Sequence, residues 1–272
     1  MPLFDPGCRR CRVFPVRSSY WGQTVHNITR EYQQEIWAKV SFPDGELERS
    51  RDLYHRFERD LKEAREHQRP LYANWVSKGL DPQVCDIEAE LTYLRIRQSR
   101  PENVVEISSG SGWSTSWILR ALADNGTGRL HSYDLVDDSV RNVPADLAAD
   151  RWHFHQGDVR ESTAALPESA DYLFLDSDHS AQFAEWYLAE ILPRFPRAQV
   201  SVHDIVKWPD EWGWGEESIV LCRWLAEQGI PCFTAARALP EVGFAGLTAL
   251  RESLGINSLH WEDYNSMIFF SL

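Results

Sequence analysis

The chain of 272 residues lacks any uninterrupted apolar run near the roughly 18 residues that a membrane-spanning helix needs. Its first residues, MPLFDPGCRRCRVFPVRSS, are basic but carry no apolar stretch of the kind that directs secretion, so no secretory signal is expected. A basic surplus is missing too: 28 Lys and Arg stand against 41 Asp and Glu, a formal charge of −13. Duplex nucleic acid is bound through clustered positive charge, so it is not an expected partner. Cysteine is sparse and odd in number, at Cys8, Cys11, Cys85, Cys222 and Cys232. Such a scatter is no disulfide framework, and a reducing, cytoplasmic setting is expected. No internal repeat and no low-complexity tract interrupts the chain.

What is present is enough apolar material for a sizeable core: 43% of residues are hydrophobic and 25% charged. Residues 1–45 are irregular and punctuated by proline. Residues 46–66 place Leu47, Leu53, Tyr54, Phe57, Leu61 and Ala64 at helical spacing among charges, which predicts an amphipathic helix. A second helix is expected from Asp86, as its cap, to about Arg100-Pro101. Residues 1–85 are expected to form an irregular and helical cap over a pocket, or a contact between copies of the chain. Tyr20, Trp21, His26 and Tyr72 are aromatic or imidazole groups available there for a substrate.

From residue 86 onward, short apolar runs alternate with helical segments. Strands are expected at 104–107, 130–134, 152–155, 172–176, 200–204, 231–234 and 267–270, and helices at 113–124, 180–192 and 216–228. This alternation predicts an α/β fold, doubly wound around a mostly parallel sheet. Ligands of such sheets bind beyond the carboxyl ends of the strands, so the residues that end each strand carry the functional information.

After the first strand the chain reads Glu106-Ile-Ser-Ser-Gly110-Ser-Gly112-Trp-Ser-Thr115. The glycines allow a tight turn and a close approach of backbone to ligand, and Ser114 and Thr115 suit the start of a helix. A dinucleotide fingerprint wants a third glycine where Thr115 stands, which disfavours a nicotinamide cofactor. Glu106 suits a ligand bearing an ammonium, while backbone N–H groups of the turn can hold a carboxylate. S-adenosylmethionine (SAM) has both groups. Asp134 ends the second strand and can accept both ribose hydroxyls, and Asp158, after the third, can accept an adenine amino group.

On EISSGSG, the acidic end of SYDL and GDV, the chain from about residue 86 to 272 resembles the class I SAM-dependent methyltransferases. The resemblance implies a seven-stranded, Rossmann-like sheet whose last strand, within Asn265–Phe270, runs antiparallel. It also implies SAM contacts from Glu106, Ser108, Gly110, Asp134 and Asp158. Gly112, Ser114 and Asp176 complete the candidate cofactor set. Ser108 departs from the glycine that opens the family's turn, so the methionine part would meet a different geometry there.

The fourth strand ends in Leu175-Asp176-Ser177-Asp178-His179 and the fifth in Val202-His203-Asp204. Two carboxylates and an imidazole at neighbouring strand ends are ordinary ligands of a divalent ion, which could lower the pKa of a substrate hydroxyl. His179 could take that proton. The pattern resembles metal-dependent O-methyltransferases of small molecules, including the sugars of natural products. By that resemblance Asp176, His203 and Asp204 hold the ion, magnesium for preference, and His179 is the catalytic base. The expected function is methyl transfer from SAM to a hydroxyl of a small metabolite. Attack at another carbon of SAM, or SAM binding without catalysis, are the alternatives. Cys8 and Cys11 have zinc-like spacing but no second pair, and Trp208, Trp212 and Trp214 follow the fifth strand where an aromatic wall or a packed loop would stand.

Overall fold

The computed structural model describes residues 35–43, 45–206, 215–260 and 263–272. The expectations for Cys8, Cys11, Tyr20, Trp21, His26, Trp208, Trp212 and Trp214 lie outside these residues. Seven strands form one sheet: β1 Asn103–Ile107, β2 Arg129–Asp134, β3 Trp152–Gln156, β4 Tyr172–Leu175, β5 Gln199–Val202, β6 Cys232–Thr234 and β7 Ile268–Ser271. Their spatial order is β3-β2-β1-β4-β5-β7-β6. Only β7 is antiparallel to its neighbours, pairing Val202 with Ile268 and Thr234 with Ile268. The expected α/β class, strand number and reversed last strand are all present.

Strand alternation divides the core between two faces. Val105, Ile107, Leu173 and Leu175 point into one cluster with Phe183, Tyr187 and Leu221. Val104, Tyr172 and Phe174 point into the other with Trp117, Leu94 and Leu61. The helices on these faces are α1 Gly45–Arg56, α2 Glu58–Ser77, α3 Asp86–Ser99, α4 Trp113–Asn125, α5 Asp138–Asn142, α6 Ala145–Ala148, α7 Ala181–Trp186, α8 Glu216–Gln228 and α9 Ala245–Ser253.

Three boundaries differ from the sequence reading. The single helix expected over 46–66 is two helices that part at Phe57, and the second runs on to Ser77 through Pro70. Pro70 is exposed, so its missing N–H falls where water is at hand. Asp86 is not the cap of α3. Cys85 holds that position, and its N–H is met by the Glu88 carboxylate at 2.8 Å. The segment expected as one helix over 180–192 is α7 followed by a π-helical turn at Tyr187–Ile191 and a 3₁₀ turn at Leu192–Arg194.

The first two helices share the core that covers the sheet. Tyr54 donates to Glu90 Oε2 at 2.6 Å, and Arg65 pairs with the same carboxylate. Arg251 of α9 reaches Asp86 at 2.8 Å and Glu90 at 2.9 Å. Every one of these groups is buried, so each charge relies on its partners, and removal of one would leave another uncompensated. This lattice fixes α1, α2 and α9 against α3, the helix that enters the site from below.

Candidate active site

The order of the sheet reverses between β1 and β4, and the carboxyl ends of β1, β2, β4 and β5 open there. Backbone strain collects at this edge. Ser108, His179, Asp204 and Asn265 all adopt left-handed φ, at 66°, 56°, 61° and 50°. Such conformations cost on the order of 1–3 kcal/mol each for residues other than glycine, and persist where surrounding bonds over-determine them.

The turn after β1 is held from both sides. Asp134 Oδ2 accepts the Gly110 N–H at 2.7 Å, and its Oδ1 accepts the Val136 N–H at 3.1 Å. Ser109 and Ser139 hydroxyls meet at 2.8 Å, which ties the turn to α5. Gly112 has φ 98°, and a Cβ there would lie 2.7 Å from Val143 Cγ2, so only glycine lets α5 and the following loop close on the turn. Trp75 Nε1 donates to the Ser111 carbonyl at 3.1 Å from the end of α2.

Glu106 sits under this turn rather than in it. It is fully buried, and its carboxylate accepts from Ser114 Oγ at 2.7 Å, Thr115 Oγ1 at 2.8 Å and Ser132 Oγ at 2.6 Å. Burial pushes its pKa up to about 7, against the opposing pull of the Ser132, Ser114 and Thr115 hydroxyls. Glu106, expected to meet an ammonium, here braces β1, β2 and the start of α4. Ser114, expected among the cofactor contacts, donates inward to Glu106.

Asp134 is half-buried beside Leu135, which is 68% exposed, with Val136 and Val140 also exposed. Together they offer a carboxylate edge and an apolar ledge suited to a ribose and a flat ring. Asp158 is engaged by its neighbour: Arg160 Nη2 lies 2.6 Å from Oδ2 and Nε 3.0 Å from Oδ1. The Arg160 guanidinium holds the Asp158 carboxyl below its usual range, so any adenine contact must compete with that guanidinium.

The Asp/His cluster does converge. Asp176 Oδ1 lies 3.2 Å from His203 Nδ1 and 3.8 Å from His179 Nε2. Asp204 Oδ2 lies 3.7 Å from His179 Nε2, and its Oδ1 lies 3.7 Å from His203 Nδ1. Two further acids complete the cluster. Glu88 Oε2 of α3 sits 3.5 Å from His203 Nε2, while Glu88 Oε1 accepts the Met267 N–H at 2.7 Å. Glu217 Oε2 of α8 sits 2.7 Å from His179 Nδ1. Both are buried at 2% exposure or less and went unnoticed in the sequence. Glu88 had one legible signal, three residues after the Cys85 cap. Glu217 had only its place in the first turn of a helix.

Electrostatics follow from this packing. Burial alone would lower the His203 pKa, but Asp204, Asp176 and Glu88 raise it well above the ordinary value. His179 is also pushed down by burial and raised on balance by Glu217, Asp176 and Asp204. Burial would raise Asp176, yet the His203 and His179 charges bring it below its usual range. The expected ligand trio of Asp176, His203 and Asp204 is brought together at this edge. Among the described residues, no group of three His, Cys, Asp or Glu is arranged to hold a metal ion.

Residues 105–205 match the family model of a methyltransferase domain. No protein of curated function matches the chain. Among solved structures, the O-methyltransferase of Bacillus cereus in complex with S-adenosylhomocysteine is 14% identical, with 78% of this chain and 90% of that chain covered at a TM-score of 0.51. The O-methyltransferase TomG of Streptomyces achromogenes, in complex with SAM, is 20% identical over 64% of this chain and 81% of that chain, at 0.45. The S-adenosylhomocysteine-bound methyltransferase PaMTH1 of Podospora anserina is 14% identical over 91% and 97%, also at 0.45. Only the first of these likenesses is strong enough to support an argument, and it supports the fold. No helix among the described residues is long and apolar enough to cross a membrane. The matched residues 105–205 span the glycine turn and the Asp/His edge, so the part of the chain similar to a methyltransferase domain is the part that builds this site.

Proposed function

We propose that the protein methylates a hydroxyl of a small metabolite, with His179 as the general base. When bound, SAM supplies an electrophilic methyl group on a sulfonium. The chain supplies the rest. Asp134, the Gly110–Gly112 turn and the Leu135 ledge seat the nucleoside and methionine parts, and Asp158 borders the adenine. His179 Nε2, on a ring 31% exposed, accepts the acceptor's proton as the oxygen–carbon bond forms and the carbon–sulfur electron pair stays with sulfur.

One observation carries this reading. His179 is the titratable ring at the mouth of the edge whose far nitrogen is already committed, to Glu217, so that its near nitrogen faces Asp176 and Asp204. Asp176 and Asp204 orient the acceptor hydroxyl by hydrogen bonds. No step here is routed through a divalent ion.

The test is turnover of methyl-labelled SAM with a panel of small hydroxylated acceptors. His179→Ala should lower kcat by about 10²-fold or more while calorimetric SAM binding stays unchanged. A chelator should leave turnover intact. Thiomethyladenosine as product, full activity of His179→Ala, or loss of activity with EDTA that magnesium restores would each overturn the corresponding part.

A further inference from the structure

Glu217 has no place in a reading of the sequence, yet its carboxylate is one of the most completely enclosed acids among the described residues, at 2% exposure. A buried carboxylate is tolerated when its partners compensate it. Its charge partner is the half-buried His179 ring, at 2.7 Å. The contact is doubled along the backbone, since the Glu217 N–H donates to the His179 carbonyl at 3.2 Å. Next door, Glu216 Oε2 accepts the Ala181 N–H at 3.3 Å. Thus the first turn of α8 grips the β4–α7 turn at three points, with His179 in the middle at φ 56°. That grip is what an unfavourable backbone conformation requires in order to persist.

We infer that Glu217 is the positioning residue of the reaction: it accepts the His179 Nδ1–H, fixes the tautomer, and leaves the Nε2 lone pair facing Asp176 and Asp204. The inference rests on the proposed role of His179 as base. Its logic is the general one of an oriented imidazole, in which a carboxylate on one nitrogen decides which proton the other nitrogen can take. Free imidazole side chains favour the opposite tautomer, with the proton on Nε2, and in that state the ring could not act as base toward the acceptor. Glu217 touches neither acceptor nor SAM in this arrangement and acts only through the ring.

The experiment has two readouts. Long-range ¹⁵N–¹H correlation on histidine-labelled protein gives the His179 tautomer directly, with the signal assigned by its loss in His179→Gln. The native protein should show Nδ1–H, and Glu217→Gln should move the population toward Nε2–H. In steady state, Glu217→Gln should lower kcat about 100-fold at unchanged KM for SAM, and Glu217→Asp should recover activity to within about tenfold of native. Glu217→Asp retains the charge, so it keeps the question answerable should the amide variant lose its fold. An Nε2–H tautomer in the native protein, or native kcat in a folded Glu217→Gln, overturns the inference. A native Nδ1–H tautomer that moves in Glu217→Gln upholds the positioning role even where no acceptor is methylated, and that outcome would overturn the methyl-transfer proposal alone.

Discussion

Glu106 makes an unusual prediction for an acid. Most carboxylates in folded proteins are stabilised as anions, and stability rises with pH as they ionise. Glu106 is fully buried and its pKa stands at about 7 against an ordinary 4.5. The folded chain therefore holds a proton here that the unfolded chain has already lost between those two values. Stability contributed by this group is complete below pH 4.5, falls as pH rises, and levels off above about 7. At about 1.4 kcal/mol per pH unit, the interval amounts to roughly 3 kcal/mol. The perturbation is Glu106→Gln, which keeps the shape and keeps partners for Ser114, Thr115 and Ser132, whose hydroxyls can rotate. The assay is urea denaturation of both proteins at pH 5, 6, 7 and 8, and the quantity of interest is the difference between them, in which all other titrating groups cancel. The difference should move by about 2–3 kcal/mol in favour of the variant from pH 5 to 8. A difference that stays flat, or moves the other way, would show that the three hydroxyls outweigh burial and that Glu106 is a stable anion.

Other perturbations probe the rest of the edge. Gly112→Ala sets a Cβ 2.7 Å from Val143 at a φ of 98°, so it should destabilise the fold by more than about 1 kcal/mol and weaken SAM binding at least tenfold, by thermal melting and calorimetry. His203→Ala leaves Asp176 and Glu88 without their buried counter-charge, and should lower unfolding free energy by about 3–5 kcal/mol near neutral pH. Ser108→Gly relieves a left-handed serine at φ 66° and should raise stability by up to about 1 kcal/mol, seen as a higher melting temperature. Stability unchanged by His203→Ala, or lowered by Ser108→Gly, would contradict the packing described for those positions.

Much of this was legible in one dimension. Strands covered on both sides are short apolar runs, and Val104–Ile107, Tyr172–Leu175 and the antiparallel Met267–Phe270 announce themselves as such. Acids at strand ends are also readable, because the fold brings those ends together whatever the intervening helices do. Asp176, His203 and Asp204 did meet. Their roles were less legible, because a role depends on the partner on the far side of the ring. The partner behind His203 is Glu88, from a helix more than a hundred residues earlier in the chain. Glu106 could have been placed from its own strand. Residues 104 and 106 share a face by alternation, and that face carries α4 with its two hydroxyls at positions 114 and 115.

The strained residues explain why the cluster is held so firmly. Four of the six non-glycine residues with positive φ among those described lie at this edge, on four different segments. Each is answered by a bond to another element. The Ser108 N–H donates to the Tyr133 carbonyl at 2.8 Å, and Glu217 grips His179. Asp204 Oδ1 accepts from Ser266 Oγ at 2.9 Å, and Asn265 Oδ1 accepts the Ile87 N–H at 3.1 Å. The restraints come from β2, α8, the segment before β7 and α3, so no single element can relax without disturbing another. An isolated turn would abandon such conformations for ordinary ones. Here the cost is met by packing far from the reacting atoms, in the Tyr54–Glu90–Arg251 lattice that fixes α3 and in the hydrophobic face that fixes α8. The edge is therefore set before any ligand arrives. Under the proposed methyl transfer, orientation of the acceptor hydroxyl against the methyl group is then an entropy the fold has already surrendered rather than one that binding must supply.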